Sequence, residues 1–171
     1  EAERCVLEGA TPEEVDGALE DFGMAMGILA VYDMAGIDIG HLTRVARAHL
    51  LPKDPSFYRP TALLTERGWL GQKSGRGYYR YDGADRKRTP DPEAIAMFAE
   101  EAQRLGVPQR KPSKQDIQAR CLYAMINEGA HLIPGEKYCL AFVVKAYSDE
   151  LESASFGSPE AAWAEQAKVT A

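Results

Sequence analysis

The chain has 171 residues, 45% of them hydrophobic and 27% charged, with a formal net charge of −6. That apolar content is enough for a buried core in one domain or in two small ones. The acidic balance, with no basic run longer than Arg86-Lys87-Arg88, excludes a nucleic-acid partner. The longest apolar stretch, Tyr138 to Val144, falls far short of the ~20 residues that cross a bilayer, so no membrane span is expected.

The chain opens on Glu1 with neither Met nor a basic-then-apolar leader, and its first residues already read as mid-helix. It is expected to be a piece of something longer. Thr11, Pro12 and Glu14 form a helix start with a capping box, and the helix stops at Gly23 with Val15, Leu19 and Phe22 on one face. "ILAVYDMAG" predicts a short, mostly buried helix ending at Gly36, and Asp38 is placed to cap the next, through "IGHLTRVARAHLL". Residues 51–60 are a proline-broken connection, after which Pro60 opens a helix that halts at Gly68. "YYRYDGADRKR" predicts a hairpin across Asp82-Gly83. Asp91-Pro92-Glu93 and Ser113 to Asp116 start two further helices; Ile117, Cys121, Met125 and Leu132 keep helical spacing along the second. A last helix, capped by Ser158, is expected near the end.

Two phosphate-binding readings of "GWLGQKSGRGYYRY" fail. A P-loop ending at Lys73-Ser74 needs glycines at 67 and 72, where Arg67 and Gln72 stand. A dinucleotide fingerprint beginning at Gly75-Arg76-Gly77 needs Gly or Ala at position 80 and a helix after it; Arg80 and β-type residues follow instead. Cys5, Cys121 and Cys139 are widely spaced among apolar residues, as buried thiols in a reducing cytoplasm would be. His41, His49 and His131 lack neighbours at metal-ligand spacing. No Ser, Cys and His grouping suggests a hydrolase. "CVLEGA" at Cys5 to Ala10 and "MINEGA" at Met125 to Ala130 share Glu-Gly-Ala after an apolar helix, which suggests two related units, 1–86 and 87–171.

The order of these features resembles the C-terminal domain of the NAD-dependent 3-hydroxyacyl-CoA dehydrogenases of fatty acid β-oxidation. The resemblance runs from Glu1 to about Leu132. It rests on the helix ending in Glu-Gly-Ala, the capped helix, the Gly-x-x-Met-Gly turn at Gly23 to Gly27, Asp33-x-x-Gly36-x-Asp38, and Lys73-x-Gly75-x-Gly77-Tyr78-Tyr79. The tandem arrangement is similar to that of the multifunctional fatty-oxidation enzymes that also carry an enoyl-CoA hydratase domain. This sequence departs from the family around the Met-Gly turn, where relatives usually have prolines and this chain has Ala25-Met26-Gly27-Ile28, and after Leu132, where a Gly-Phe-Pro segment is missing.

The resemblance implies an all-α fold like the C-terminal domain of 6-phosphogluconate dehydrogenase, in a tandem pseudo-repeat with a small β-hairpin. Residues 1–86 would be the first unit and 87–171 a second, incomplete or divergent one. It implies that NAD, the catalytic histidine and its carboxylate partner belong to an N-terminal Rossmann domain, so this chain holds no catalytic residue and binds no cofactor alone. Its part would be the cleft facing that domain and a surface for homodimerisation. The alternative is a non-catalytic helical oligomerisation module. Met26 and Gly27, at a turn toward the acyl-CoA cleft, are the substrate-side candidates. Lys73, Ser74 and Gly75 join them from the terminal turn, behind which Tyr79 and Tyr81 would pack.

Overall fold

The structure is a computed structural model and describes residues 1–82 and 85–132. It divides into two compact units, Glu1–Cys121 and Leu122–Ala171; of the second, only its part of one helix is described.

Helix α1 (Ala2–Leu7) closes at Gly9, whose φ of +105° lets Ala10 N donate back to Cys5 O at 3.0 Å. Helix α2 (Pro12–Phe22) starts as the sequence predicts. Glu14 N donates to Thr11 Oγ1 at 3.2 Å, Thr11 N donates to Glu14 Oε2 at 2.8 Å, and Gly23 ends the helix in the left-handed region. Val15 and Leu19 are buried, and Phe22 is half-buried. Helix α3 (Ile28–Ala35) follows, then α4 (Ile37–Ala46) with Gly36 between them at φ +99°.

Here a correction is needed: Asp38 does not cap α4. The helix begins two residues earlier than that cap implies, at Ile37, because that residue is buried and its N–H donates to Leu70 O at 3.4 Å. Asp38 sits in the first turn and faces Lys73. The helix also ends at Ala46, and a single 3₁₀ turn over Ala48–Leu50 takes its place.

Helix α5 (Arg59–Glu66) carries Pro60 in its first turn and stops short of Gly68. Strands β1 (Tyr79–Asp82) and β2 (Lys87–Pro90) pair antiparallel from Tyr79 opposite Pro90 to Asp82 opposite Lys87. The hairpin is therefore present, while Gly83, assigned to its turn, lies outside the described residues. Helix α6 (Pro92–Arg104) is capped by Asp91, whose Oδ1 accepts from Glu93 N at 3.1 Å and Ala94 N at 3.4 Å. Helix α7 (Lys114–Leu132) starts with Ser113 and Asp116 bonded reciprocally.

The core gathers Cys5, Val15, Leu19, Leu29, Leu64, Tyr78, Phe98 and Ile117 from α1, α2, α3, α5, the stretch before β1, α6 and α7. The Tyr78 ring lies 5.7 Å from Phe98 and 6.4 Å from Tyr32, centroid to centroid. Each such side chain contributes about 1.5–3 kcal/mol through burial. Helix α6 and the start of α7 thus share one core with α1 and α2.

One detail differs from expectation along α7, and another distinguishes it from α1. Met125 is exposed although Ile117 and Cys121 are buried. The helix also continues through Gly129 to Leu132, whereas α1 stops at Leu7 before its Glu-Gly-Ala. The difference lies at the glycine, since Gly9 is left-handed and Gly129 is not. Cys5 and Cys121 are free, buried thiols as expected. Cys139 and the Ser158 helix start lie outside the described residues.

Candidate functional site

Two buried carboxylates build the region around the predicted residues. Asp16 projects from α2 to the start of α3, where its oxygens accept from Leu29 N and Ala30 N, each at 2.9 Å. It caps that helix from outside, since Gly27 at the cap position has no side chain to do so. The Tyr79 hydroxyl adds a third bond at 2.8 Å. Asp33, near the end of α3, holds the other side: Tyr78 N, Tyr79 N and the Tyr81 hydroxyl donate to it at 2.9, 3.0 and 2.9 Å. Helix α3 is strapped at its start by α2 and near its end to the segment that becomes β1.

Burial raises the Asp16 carboxyl above the ordinary carboxylate range, against the hydrogen bonds it accepts. Burial likewise pushes Asp33 up to about 6. The Tyr79 and Tyr81 hydroxyls are raised by burial and then by the carboxylates they face, so both are kept protonated as donors.

Backbone fits closely around both straps. A β-carbon at Gly27 would overlap the Asp16 carboxyl, and one at Gly71 or Gly77 would overlap Asp33. A third buried carboxylate, Glu3 of α1, accepts from Thr61 N at 3.0 Å and Thr61 Oγ1 at 2.8 Å, and Thr61 Oγ1 meets the Tyr78 hydroxyl at 3.0 Å. Arg44 lies 3.4 Å from Glu3 and stacks 3.6 Å above the Tyr58 ring.

The five predicted residues fall in two places. Met26 lines an open cavity of about 400 Å³ together with Ala30, Gln72, Tyr81, Arg88 and Glu20, among others. Gly27 lies beside it, buried, its N–H donating to Glu20 Oε1 at 3.1 Å. Lys73, Ser74 and Gly75 do not line that cavity. Lys73 pairs with Asp38 at 2.5 Å on the surface. The Ser74 hydroxyl accepts from Leu70 N at 2.7 Å, and Gly75 takes φ +74° while its carbonyl accepts from Tyr81 N at 3.0 Å. These three residues shape the turn, and Gln72 is the one beside them that reaches the cavity. Tyr79 and Tyr81 are buried as expected, yet their hydroxyls are committed to Asp16 and Asp33.

Sequence reasoning missed Asp16 and Asp33 as organising residues. A signal for Asp33 was present: it is the single charge in the apolar run "ILAVYDMAG", and a charge there must be buried with partners or break the helix face. Arg76 holds the neighbouring turn. It stacks 3.6 Å above the Trp69 ring and bonds both oxygens of buried Asp91, at 2.5 and 3.0 Å, tying the turn to α6.

Among the described residues, no cluster of three metal-ligating side chains occurs, and no helix is long and apolar enough to cross a membrane. Residues 75–80, where a dinucleotide fingerprint would lie, run from a turn into β1 with no helix opening there, so they do not form that fingerprint.

Comparison with known proteins places the chain. Peroxisomal bifunctional enzymes from Danio rerio and Homo sapiens are 38% and 36% identical to it over 138 residues, which is 74% of this chain and 19% of each relative. The fatty acid oxidation complex subunit alpha of Vibrio cholerae is 30% identical over 135 residues, 78% of this chain and 18% of the relative. The chain therefore spans about a fifth of the curated relatives' length. A solved structure, the dehydrogenase part of multifunctional enzyme 1 from C. elegans, superposes with a TM-score of 0.61 at 22% identity, over 81% of this chain and 31% of that one, and so shares its fold. The family model described as 3-hydroxyacyl-CoA dehydrogenase, C-terminal domain, matches residues 1–81, a stretch that contains both straps, the Met26-Gly27 turn and the glycine turn. Residues 1–81 of the chain belong to the family of 3-hydroxyacyl-CoA dehydrogenase C-terminal domains.

Proposed function

We propose that this chain is the substrate-cleft and association portion of an enzyme that oxidises 3-hydroxyacyl-CoA to 3-oxoacyl-CoA with NAD in fatty acid β-oxidation. The observation that carries the reading is the match of residues 1–81 to the dehydrogenase C-terminal domain, with relatives of which the match covers 19%. The Met26 cavity, with an apolar wall at Met26 and Ala30 and a polar rim at Gln72, Tyr81 and Arg88, supports an acyl chain as its guest. This chain supplies the cleft wall and not the catalytic groups. The chemistry belongs to a Rossmann domain as partner, against which Met26 and Gly27 would form one wall, with Lys73, Ser74 and Gly75 at its edge.

Residues 87–171 are read as a second, divergent copy on the strength of the repeated Glu-Gly-Ala. Homodimerisation is supported by the exposed apolar side chains of α3 and α4. The cytoplasmic setting rests on the free thiols Cys5 and Cys121; the Danio and human relatives are peroxisomal by name.

Calorimetry of the 171-residue chain tests the reading. Weak, roughly millimolar binding of a short acyl-CoA, lost in Met26→Lys, with no heat from NAD, is expected. Micromolar NAD binding would overturn the assignment of NAD to a separate domain. Absence of any acyl-CoA binding would favour the second reading, a non-catalytic helical association module.

A further inference from the structure

Two thiols meet where α7 crosses α1. Cys5 and Cys121 are free and buried, 0% and 3% exposed, and the Cys5 thiol donates a hydrogen bond to the Cys121 sulfur. The residues just before Cys121 hold α7 in that register. Ile117 is buried in the same core, Gln118 Nε2 donates to Ala18 O at 2.7 Å, and Arg120 bonds Glu1 Oε2 at 2.8 Å and Glu8 Oε2 at 2.7 Å. These partners belong to α2 and to the two ends of α1, so Cys121 is fixed against Cys5. The buried stretch of α7 ends at this point: Leu122 is buried, while Tyr123 and Met125 stand 43% and 50% exposed.

We propose that Cys5 and Cys121 are a hydroperoxide-reactive pair that closes reversibly into a disulfide, stapling α7 to α1. Their contact divides the roles. Cys121 is the attacking sulfur, because the hydrogen bond from Cys5, helped by the neighbouring Arg120 guanidinium, lowers it from the ordinary thiol range against its burial. Cys5 is raised by that same bond and then by burial, so it keeps its proton and reacts second. In the first step the Cys121 sulfur attacks one peroxide oxygen and the O–O bond breaks. A sulfenic acid forms, and the other oxygen leaves with a proton as water or an alcohol. In the second, the Cys5 sulfur attacks the sulfenic sulfur: the S–S bond forms, the S–O bond breaks, and hydroxide leaves as water with the Cys5 proton. Two thiols lose two electrons, and one hydroperoxide takes them up.

A small hydroperoxide reaches the pair through local loosening of α7 at the end of its buried stretch, without global unfolding. Burial makes the reaction slow, and the contact makes it selective. Once closed, the bridge joins the two ends of Glu1–Cys121 and restricts the unfolded chain more than the folded one. It does so whatever the Met26 cavity binds, so its test is independent of the acyl-CoA reading.

The experiment treats the reduced 171-residue chain with hydrogen peroxide at neutral pH, both natively and in urea, and maps its peptides by mass spectrometry. The native chain is expected to weigh two hydrogens less and to carry a Cys5–Cys121 bridge that dithiothreitol reverses. In urea the product should shift toward Cys121–Cys139, which closes the shortest loop of the three pairings. The bridged chain should melt roughly 10 °C above the reduced one. In Cys5→Ser a sulfenic acid should persist on Cys121 and be trapped by dimedone; if that variant fails to fold, the mapped bridge and the thermal midpoint of the parent decide. A native Cys121–Cys139 bridge, a dimer linked through cysteine, native thiols unreacted at a peroxide concentration that oxidises the chain in urea, or a melting point unchanged by the bridge would each overturn the proposal.

Discussion

Gly27 is a position where space, and not backbone angle, dictates the residue. Its φ of −69° and ψ of 154° suit any side chain, yet a β-carbon there would overlap the Asp16 carboxyl. Asp16 cannot withdraw without giving up the Leu29 and Ala30 amides and the Tyr79 hydroxyl. Gly27→Ala is therefore expected to lower stability by roughly 2–4 kcal/mol, combining overpacking with a weakened buried cap. Its urea midpoint should fall with little change in slope. Gly17, inside α2 with nothing near the position of its missing β-carbon, is the internal control. Gly17→Ala should be neutral or stabilising by up to about 1 kcal/mol, from helix propensity alone. If the two substitutions cost the same, the close approach of Gly27 to Asp16 is not what fixes that turn.

Between elements, charged side chains do much of the joining, and the clearest case links α5 to α6. Glu101 accepts from Arg104 at 2.7 Å through both oxygens and from Arg59, whose guanidinium also reaches Glu66 at 2.6 Å. The Arg104 hydrogen bonds, then those of Arg59, hold the Glu101 carboxyl down at about 2, well under its ordinary value near 4.5. A folded-state value below the unfolded one stabilises at pH above about 4.5, and the gain disappears as pH falls toward 2. Glu101→Gln should accordingly lower the urea midpoint at pH 6 and flatten its decline over that acid interval; a mutant whose acid limb matches the parent's would remove the staple from the account. Contacts of this kind explain what could be read from the sequence. The capping box of Thr11 and Glu14 and the Asp91 start were legible because every partner lies within three residues. Asp38 was misread because the start of α4 is set by Leu70 and Lys73, far along the chain. Asp16 and Asp33 were illegible as straps because their tyrosine partners are 63 and 48 residues away. Family resemblance located the Met26-Gly27 turn, but not the carboxylate that shapes it.

At the scale of the molecule, the described part of Glu1–Cys121 is closed on its core side and open on one helical stripe. Ile39, Leu42 and Val45 follow each other at three-residue steps along α4 and stand 59%, 64% and 59% exposed, with Met34 of neighbouring α3 at 54%. The opposite side of α4 carries buried Ile37 and inward-facing Arg44, so the stripe is a second face and not a failed core. Such a face, in a chain of net charge −6, gains most from an apolar partner that brings no further negative charge against it. A twin stripe related by two-fold symmetry meets that condition, since Leu42 would lie against its own equivalent region. Light scattering over a dilution series is expected to show a dimer that dissociates on dilution. Leu42→Glu should weaken it by at least about tenfold, since each copy loses a leucine's burial and gains a charge, while the thermal midpoint of the diluted monomer stays unchanged. A monomer at every concentration would instead assign the cover of this stripe to the chain's own residues 87–171, and Leu42→Glu would then lower the thermal midpoint. The same substitution thus separates a face between copies from a face within one chain, because in the first case the cost appears in association and in the second in folding.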